Sequence, residues 1–245
     1  MKIDIVISAD YIRKEELQNK IVVVIDVFRA TSVITTAIMN GCKEVIPLLT
    51  IEEAFELKNN NRDKKYVLGG ERRAVKIDDF DYSNSPLEYS KENVFNKSVI
   101  LTTTNGTRAL TNCINGDRVL VGCMLNAGAL AKKIVEINQD VVIVNAGTNG
   151  EFSLDDFICS GFIISETVDL IGKESIILSD ISKSALISYK EHKDIISYVK
   201  EARHYNVMMN LGLENDIEYC IQKNITNVIP EFVFEGKYNR IIKVN

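Results

Sequence analysis

Ile21-Val22-Val23-Val24-Ile25-Asp26-Val27-Phe28-Arg29-Ala30-Thr31-Ser32 is the stretch that decides the fold. Five consecutive β-branched residues end on an acid. An arginine follows three residues later, and two hydroxyl residues open a run of small and apolar positions. A short apolar run bounded in this way predicts a strand buried on both faces. The helix signal after it puts Asp26 and Arg29 at the carboxyl end of that strand, where open α/β sheets bind ligands.

Strand and helix signals alternate outward from this point. Residues 2–8, 44–48, 66–68, 98–102, 118–122, 141–144 and 176–178 read as further strands. Residues 31–39 form a helix stopped by Asn40-Gly41. Thr50-Ile51-Glu52-Glu53 is a capping box at the start of a second helix. Asn126 and Ser153 open helices that run to about 137 and 171. Residues 182–223 read as three or four helical pieces, and residues 228–245, with Pro230 and Gly236, as an edge hairpin. The alternation predicts an α/β fold, a largely parallel sheet covered on both faces, in one domain over 1–245 without a linker. Residues 74–96 have little periodicity, and an irregular stretch of this length in a compact domain is usually functional.

The opening turn has an echo. Asn105-Gly106-Thr107-Arg108-Ala109-Leu110 also lies between a strand and a helix, and that helix also ends in an Asn-Gly pair, Asn115-Gly116. Two copies of one βαβ unit would bring two strand ends, each with an arginine, toward one crevice. The frequency of Asn-Gly stops makes coincidence the competing reading.

Composition narrows the function classes. Of 245 residues, 46% are apolar and 26% charged, enough for a sizeable core and too ordered a composition for global disorder. A formal net charge of -5 argues against general nucleic-acid binding. No apolar run is long enough to span a bilayer, and the first residues read as a strand, not a signal peptide. Five scattered cysteines read as buried thiols of a cytoplasmic protein. Tyr198, Tyr205, Met208, Met209 and Leu211 have the spacing of ordinary core, with a homodimer face as the other reading.

The residues at strand ends point to anion chemistry: Asp26, Arg29, Glu71, Arg72, Arg73, Asn105, Gly106, Thr107, Arg108, Asn145, Gly147 and Gly150. Carboxylates hold hard cations, arginines grip phosphate with a planar fork, and glycines let backbone N–H groups approach an anion. Each has a plainer reading. Asp26 would serve as a helix cap, Arg29 as a bridge to Asp26, Arg72 and Arg73 as a solvated face, and Asp155 and Asp156 as acids favoured at a helix N-terminus. His204 follows Arg203 near the start of a helix. No Gly-Lys-Thr phosphate loop, GxGxxG run or Ser-His-Asp arrangement is legible.

The segments Asp26-Val27-Phe28-Arg29-Ala30-Thr31, Gly69-Gly70-Glu71-Arg72, Phe80-Asp81 with Asn84-Ser85-Pro86, and Thr103-Thr104-Asn105-Gly106-Thr107 resemble the 2-phosphosulfolactate phosphatase family. So do Ala146-Gly147, Gly150-Glu151-Phe152-Ser153-Leu154-Asp155-Asp156, Ser160-Gly161, Leu211-Gly212, Asp216 and Cys220. The resemblance runs in order over nearly the whole chain. It implies a three-layer α/β/α fold and a Mg²⁺-dependent phosphatase that hydrolyses 2-phospho-3-sulfolactate to sulfolactate, a step toward coenzyme M. On that basis Asp26 and Arg29 are the catalytic candidates. Asp26, Asp156 and Glu71 are the metal candidates, and Arg72, Asn105, Gly106, Thr107, Arg108 and His204 the substrate-binding ones. The partner is then a small anionic phospho- or sulfo-acid. One departure stands out: where relatives tend to carry His-Gly, this chain has His204-Tyr205. Asp26 also resembles the aspartyl nucleophile of haloacid dehalogenase-like phosphatases, but Phe28 stands where their second acid would be, which favours water as nucleophile. A non-catalytic acid-binding protein, or a lyase or isomerase on the same scaffold, is the alternative.

Overall fold

The computed structural model describes residues 1–61, 63–192, 194–234 and 238–244. In chain order the elements are β1 (Lys2–Val6), β2 (Ile21–Ile25), α1 (Ala30–Met39), β3 (Glu44–Pro47), α2 (Ile51–Asn59), β4 (Tyr66–Arg72) and β5 (Val75–Lys76). Then come α3 (Lys91–Val94), β6 (Ser98–Thr102), α4 (Gly106–Asn112), β7 (Arg118–Gly122), α5 (Ala127–Ile137), β8 (Val141–Asn145), α6 (Leu154–Ile171) and β9 (Ile177–Leu178). The last third holds α7 (Asp180–Glu191), α8 (Ile195–Val199), α9 (Arg203–Asn210) and α10 (Glu214–Cys220), followed by β10 (Ile229–Val233) and β11 (Arg240–Val244).

All five residues of β2 are fully buried, as a β-branched run with no polar face requires. Ile21, Val23 and Ile25 pack toward α5 and α6, against Leu130, Phe162 and Ile163. Val22 and Val24 pack on the opposite face with Val33 and Ile34 of α1 and Leu110 of α4. The fold is therefore a three-layer α/β/α arrangement on a mixed sheet. A third apolar cluster, with Ala54 and Leu57 of α2 against Ile46, Leu68 and Ile100, covers the outer part of the sheet. The helix α2 begins where its capping box puts it: Thr50 Oγ1 accepts from the Glu53 N–H and the Glu53 carboxylate accepts from the Thr50 N–H.

Among the described residues the sheet has eleven strands in the order β5-β4-β6-β3-β11-β10-β7-β2-β8-β1-β9. The strands β7, β2, β8, β1 and β9 are parallel to one another, and so are β3, β6 and β4. The antiparallel hairpin of β10 and β11 joins these halves and sets them running in opposite senses. The two echoing units are exchanged about this hairpin: β2 leads through α1 to β3 on the far side, and β6 leads through α4 back to β7.

The hairpin corrects the expectation of an edge. It is central, because β7 and β3 take its two outer sides. Pro230 is tolerated there because the ladder to β7 covers only Glu231 and Phe232, so the proline lies past its end. The buried Glu231 is neutralised by Arg118, whose Nε donates to its Oε1 at 2.7 Å. Gly236, the other residue on which the edge reading rested, lies outside the described residues.

The irregular stretch 74–96 carries only β5, a 3-10 turn and the short α3. Met208 is fully buried, and Tyr198, Tyr205 and Met209 pack against the same core, while Leu211 is exposed. All five cysteines are buried and unbridged. No helix among the described residues is long and apolar enough to cross a membrane.

Candidate active site

Loops following β2, β4, β6 and β8 converge with the start of α9 on one cavity of about 210 Å³. Asp26 and Arg29 come from the loop after β2, Glu71 and Arg73 from the end of β4 and its turn, Thr104 and Asn105 from the loop after β6. Thr148 and Asn149 follow β8, His204 comes from α9, and Asn84 comes from the irregular stretch. Strands from both halves of the sheet thus contribute.

The two echoing turns touch each other. A Cβ on Gly106 would lie 2.4 Å from the Ala30 Cβ and 2.7 Å from Asp26 Oδ2. Only a residue without a side chain lets α4 start against the turn after β2. Gly106 is thus a packing device and not part of the cavity wall.

Asp26 is buried, and its Oδ1 accepts from the Ala30 N–H at 3.3 Å, in the first turn of α1. Burial pushes its pKa up to about 7, with the neighbouring Glu71 and Asp155 carboxylates adding to the rise; the Ala30 N–H and the Arg29 charge oppose it. Glu71 is held more firmly: Oε1 accepts from the Thr104 N–H at 2.7 Å, and Oε2 from the Ala74 N–H at 2.7 Å and the Thr104 hydroxyl at 3.2 Å. It therefore ties the end of β4 to the loop after β6.

Arg29 lines the cavity with its guanidinium committed. Nη1 pairs with Asp216 Oδ2 at 2.6 Å, and Nη2 donates to the Ala74 carbonyl at 3.0 Å. The bridge anticipated for Arg29 exists, but its partner is Asp216 on α10 rather than Asp26. Ser85 completes the group by donating to Asp216 Oδ1 at 2.5 Å.

His204 lies edge-on to Phe28, with ring centroids 6.4 Å apart, and its Nδ1 is 3.8 Å from Asp155 Oδ2. Asp155 is buried, and its Oδ1 accepts from the Ser153 hydroxyl.

Besides Gly106, four expected site residues are not among those lining the cavity. Arg72 donates to the carbonyls of Glu71 and Leu49 and to Thr102 Oγ1, so it staples strands rather than substrate. Arg108 pairs with Asp10 at 2.5 Å. Thr107 is buried in reciprocal bonds with Thr103 that close the first turn of α4. Asp156 spends both oxygens on backbone: Oδ1 accepts from the Val27 N–H at 2.9 Å and Oδ2 from the Gly147 N–H at 3.0 Å. Burial and the adjacent Asp155 hold its pKa well above the usual carboxylate range. Among the described residues no three His, Cys, Asp or Glu side chains gather so as to hold a metal ion. Asp26, Glu71 and Asp156 are thus not assembled as a triad of ligands.

Arg73, anticipated among the strand-end arginines, does line the cavity, whereas Asn84, Thr148, Asn149, Asp155 and Asp216 complete the site or its supports without having been given a role in it. Asn84 and Asp216 stood inside the segments that carry the family resemblance. The Oδ1 atoms of Asn84 and Asn105 are buried without a hydrogen-bond partner among the described residues. Polar atoms left this way at a cavity wall mark where a ligand's donors or a cation would sit.

The profile of the 2-phosphosulpholactate phosphatase family matches residues 6–234. Over 244 residues the chain is 58% identical to a probable 2-phosphosulfolactate phosphatase of Clostridium botulinum, with the full length of both covered. A protein of the same name from Clostridium beijerinckii is 58% identical over 232 residues, 95% of this chain and 97% of the relative. One from Clostridium perfringens is 52% identical over 234 residues, 95% of this chain and 94% of the relative. Matched from end to end, with its site on the segments that carry the likeness, the chain belongs to the 2-phosphosulpholactate phosphatase family.

Proposed function

We propose that this protein is a Mg²⁺-dependent phosphatase that hydrolyses 2-phospho-3-sulfolactate, or a closely related 2-phospho-acid, to the hydroxy acid and phosphate. The observation that carries the reading is the meeting, in one cavity, of an elevated carboxylate, unpartnered amide oxygens, arginines and a histidine.

The donor set suits a hard cation. Among the described residues Asp26 Oδ2 takes no hydrogen bond, and the Oδ1 atoms of Asn84 and Asn105 have no partner, so all three offers are oxygen. Asp26, Asn84 and Asn105 would hold Mg²⁺, whose usual environment is one or two carboxylates, waters and substrate phosphate. When bound, it would neutralise charge on the phosphoryl oxygens and acidify a water. Glu71 lines the same cavity, but its three accepted hydrogen bonds make it a support for the 71–74 turn.

The chain's own groups supply the rest. Water attacks phosphorus in line, and the P–O bond to the ester oxygen breaks. His204, with the Asp155 carboxylate 3.8 Å from its Nδ1, gives a proton to the departing alkoxide, and one proton of the attacking water restores it. The other water proton stays on the product phosphate. Arg29 and Arg73 contribute the positive field that an acidic protein must concentrate locally for such a substrate. Water is the better nucleophile, because Phe28 stands where a phosphoaspartyl route would use a second acid.

A phosphate-release screen over small phospho-acids, with and without Mg²⁺, tests this. Mg²⁺-dependent release from phosphosulfolactate is expected. Tight binding without turnover under every metal and pH would replace this reading with the non-catalytic one. Disappearance of substrate without free phosphate in phosphorus NMR would point to a lyase or isomerase.

A further inference from the structure

The arginines near the site are unequal. Arg72 and Arg108 are spent outside the cavity, and Arg29 is locked onto Asp216 and the Ala74 carbonyl. Arg73 lines the cavity, is exposed, and makes no hydrogen bond or ion pair among the described residues. A pocket walled by Asp26 and Glu71 therefore has one uncommitted guanidinium at its mouth.

The backbone that presents it is costly. Arg73 and Ala74 are the two central residues of the β4–β5 hairpin, between the paired Arg72 and Val75. Both are left-handed, with φ of +54° and +64°. Two-residue turns of this kind strongly prefer Asn-Gly, because side-chain-bearing residues adopt that region poorly. The turn is nonetheless pinned to the cavity floor: the Ala74 N–H donates to Glu71 Oε2 at 2.7 Å and its carbonyl accepts from Arg29 at 3.0 Å. A turn that served only to reverse the chain would have no use for an arginine here.

We infer that Arg73 is a specificity-determining residue that receives a second anionic group of the substrate, carboxylate or sulfonate, and so selects phosphate monoesters that carry a further acid. This rests on the phosphatase reading. An open guanidinium fork matches either oxyanion with two parallel donors, which lysine does not.

The variant Arg73→Asn removes the guanidinium while supplying a residue that the left-handed turn favours, so folding is preserved or improved. Turnover is compared for phosphosulfolactate, 2-phospholactate and isopropyl phosphate, which carry two, one and no further acids. The variant is expected to lose at least tenfold more kcat/KM on phosphosulfolactate than on isopropyl phosphate, chiefly through KM, with Arg73→Lys recovering only part. A loss on 2-phospholactate as large as on phosphosulfolactate assigns the contact to the carboxylate; a loss confined to phosphosulfolactate assigns it to the sulfonate. Equal losses on all three substrates, or none, overturn the inference. Calorimetric binding of sulfolactate separates the two readings. If the wild type turns nothing over yet binds sulfolactate at least tenfold better than the variant does, the phosphatase reading falls and the role of Arg73 stands. If the variant binds sulfolactate as the wild type does, the role of Arg73 falls.

Discussion

Arg29 Nη1 and Asp216 Oδ2 sit 2.6 Å apart with both side chains almost wholly buried, joining the turn after β2 to α10 across 187 residues of sequence. Removing one member of such a pair strands the other charge in a low-dielectric wall. Arg29→Ala is expected to cost about 3–5 kcal/mol of stability as well as activity. Pairing Arg29→Met with Asp216→Leu should be markedly less destabilising than Arg29→Ala. Urea unfolding of the three variants checks this, and equal stability for Arg29→Ala and wild type would refute the bridge.

Asp26 gives the metal-free protein a defined pH dependence. Unfolded, its carboxyl loses a proton near 3.8; folded, burial raises that to about 7. Between these values the folded chain holds the extra proton, so stability falls as pH rises and the fall is complete above the folded value. The contribution is on the order of 4 kcal/mol at 1.36 kcal/mol per pKa unit. Asp26→Asn should flatten the decline between about pH 4 and pH 7 in denaturation measured across pH. An unchanged slope would show that Asp26 ionises normally.

The contact of Gly106 with Asp26 and Ala30 predicts a steric lesion. Gly106→Ala places a methyl where 2.4 Å separates it from the Ala30 Cβ, and overpacking of this sort costs about 1–3 kcal/mol. Thermal unfolding should register the loss, and catalytic turnover should fall with it because Asp26 Oδ2 is the second atom displaced. A variant with wild-type melting temperature and turnover would mean the turns can separate freely.

His204 and Asp155 predict a leaving-group effect. If His204 protonates the departing oxygen, His204→Asn should lower turnover of alkyl phosphates by about 10²–10⁴-fold and that of p-nitrophenyl phosphate far less, because nitrophenolate leaves without help. Asp155→Asn should show the same pattern in weaker form. Equal losses on both substrate types would make His204 a binding group only.

Local and periodic signals were readable in the chain. The β-branched run of β2, the capping box of α2, and the start of α6 after Ser153 all depend on neighbours within a few residues, and all stand where the sequence puts them. Fates decided by distant partners were not readable. An arginine at a strand end looks the same whether its fork meets Leu49 and Thr102, as Arg72 does, Asp10, as Arg108 does, or open solvent at a cavity, as Arg73 does. Asp156 looked like a ligand because only the fold brings the Val27 and Gly147 N–H groups onto it. The hairpin looked like an edge because Pro230 signals one, and the strand that would have objected, β7, pairs past it.

The central position of that hairpin also orders events in time. A nascent chain that has reached only residue 228 contains both parallel half-sheets, with no strand ladder between them among the described residues. Until the last two strands slot in, the halves would be linked by helices α1 and α4 and by side-chain contacts such as Arg29 with the Ala74 carbonyl and Ser85 with Asp216. Since the cavity draws Asp26 from one half and Glu71 from the other, the ribosome must deliver almost the whole polypeptide before the pocket can take its final shape.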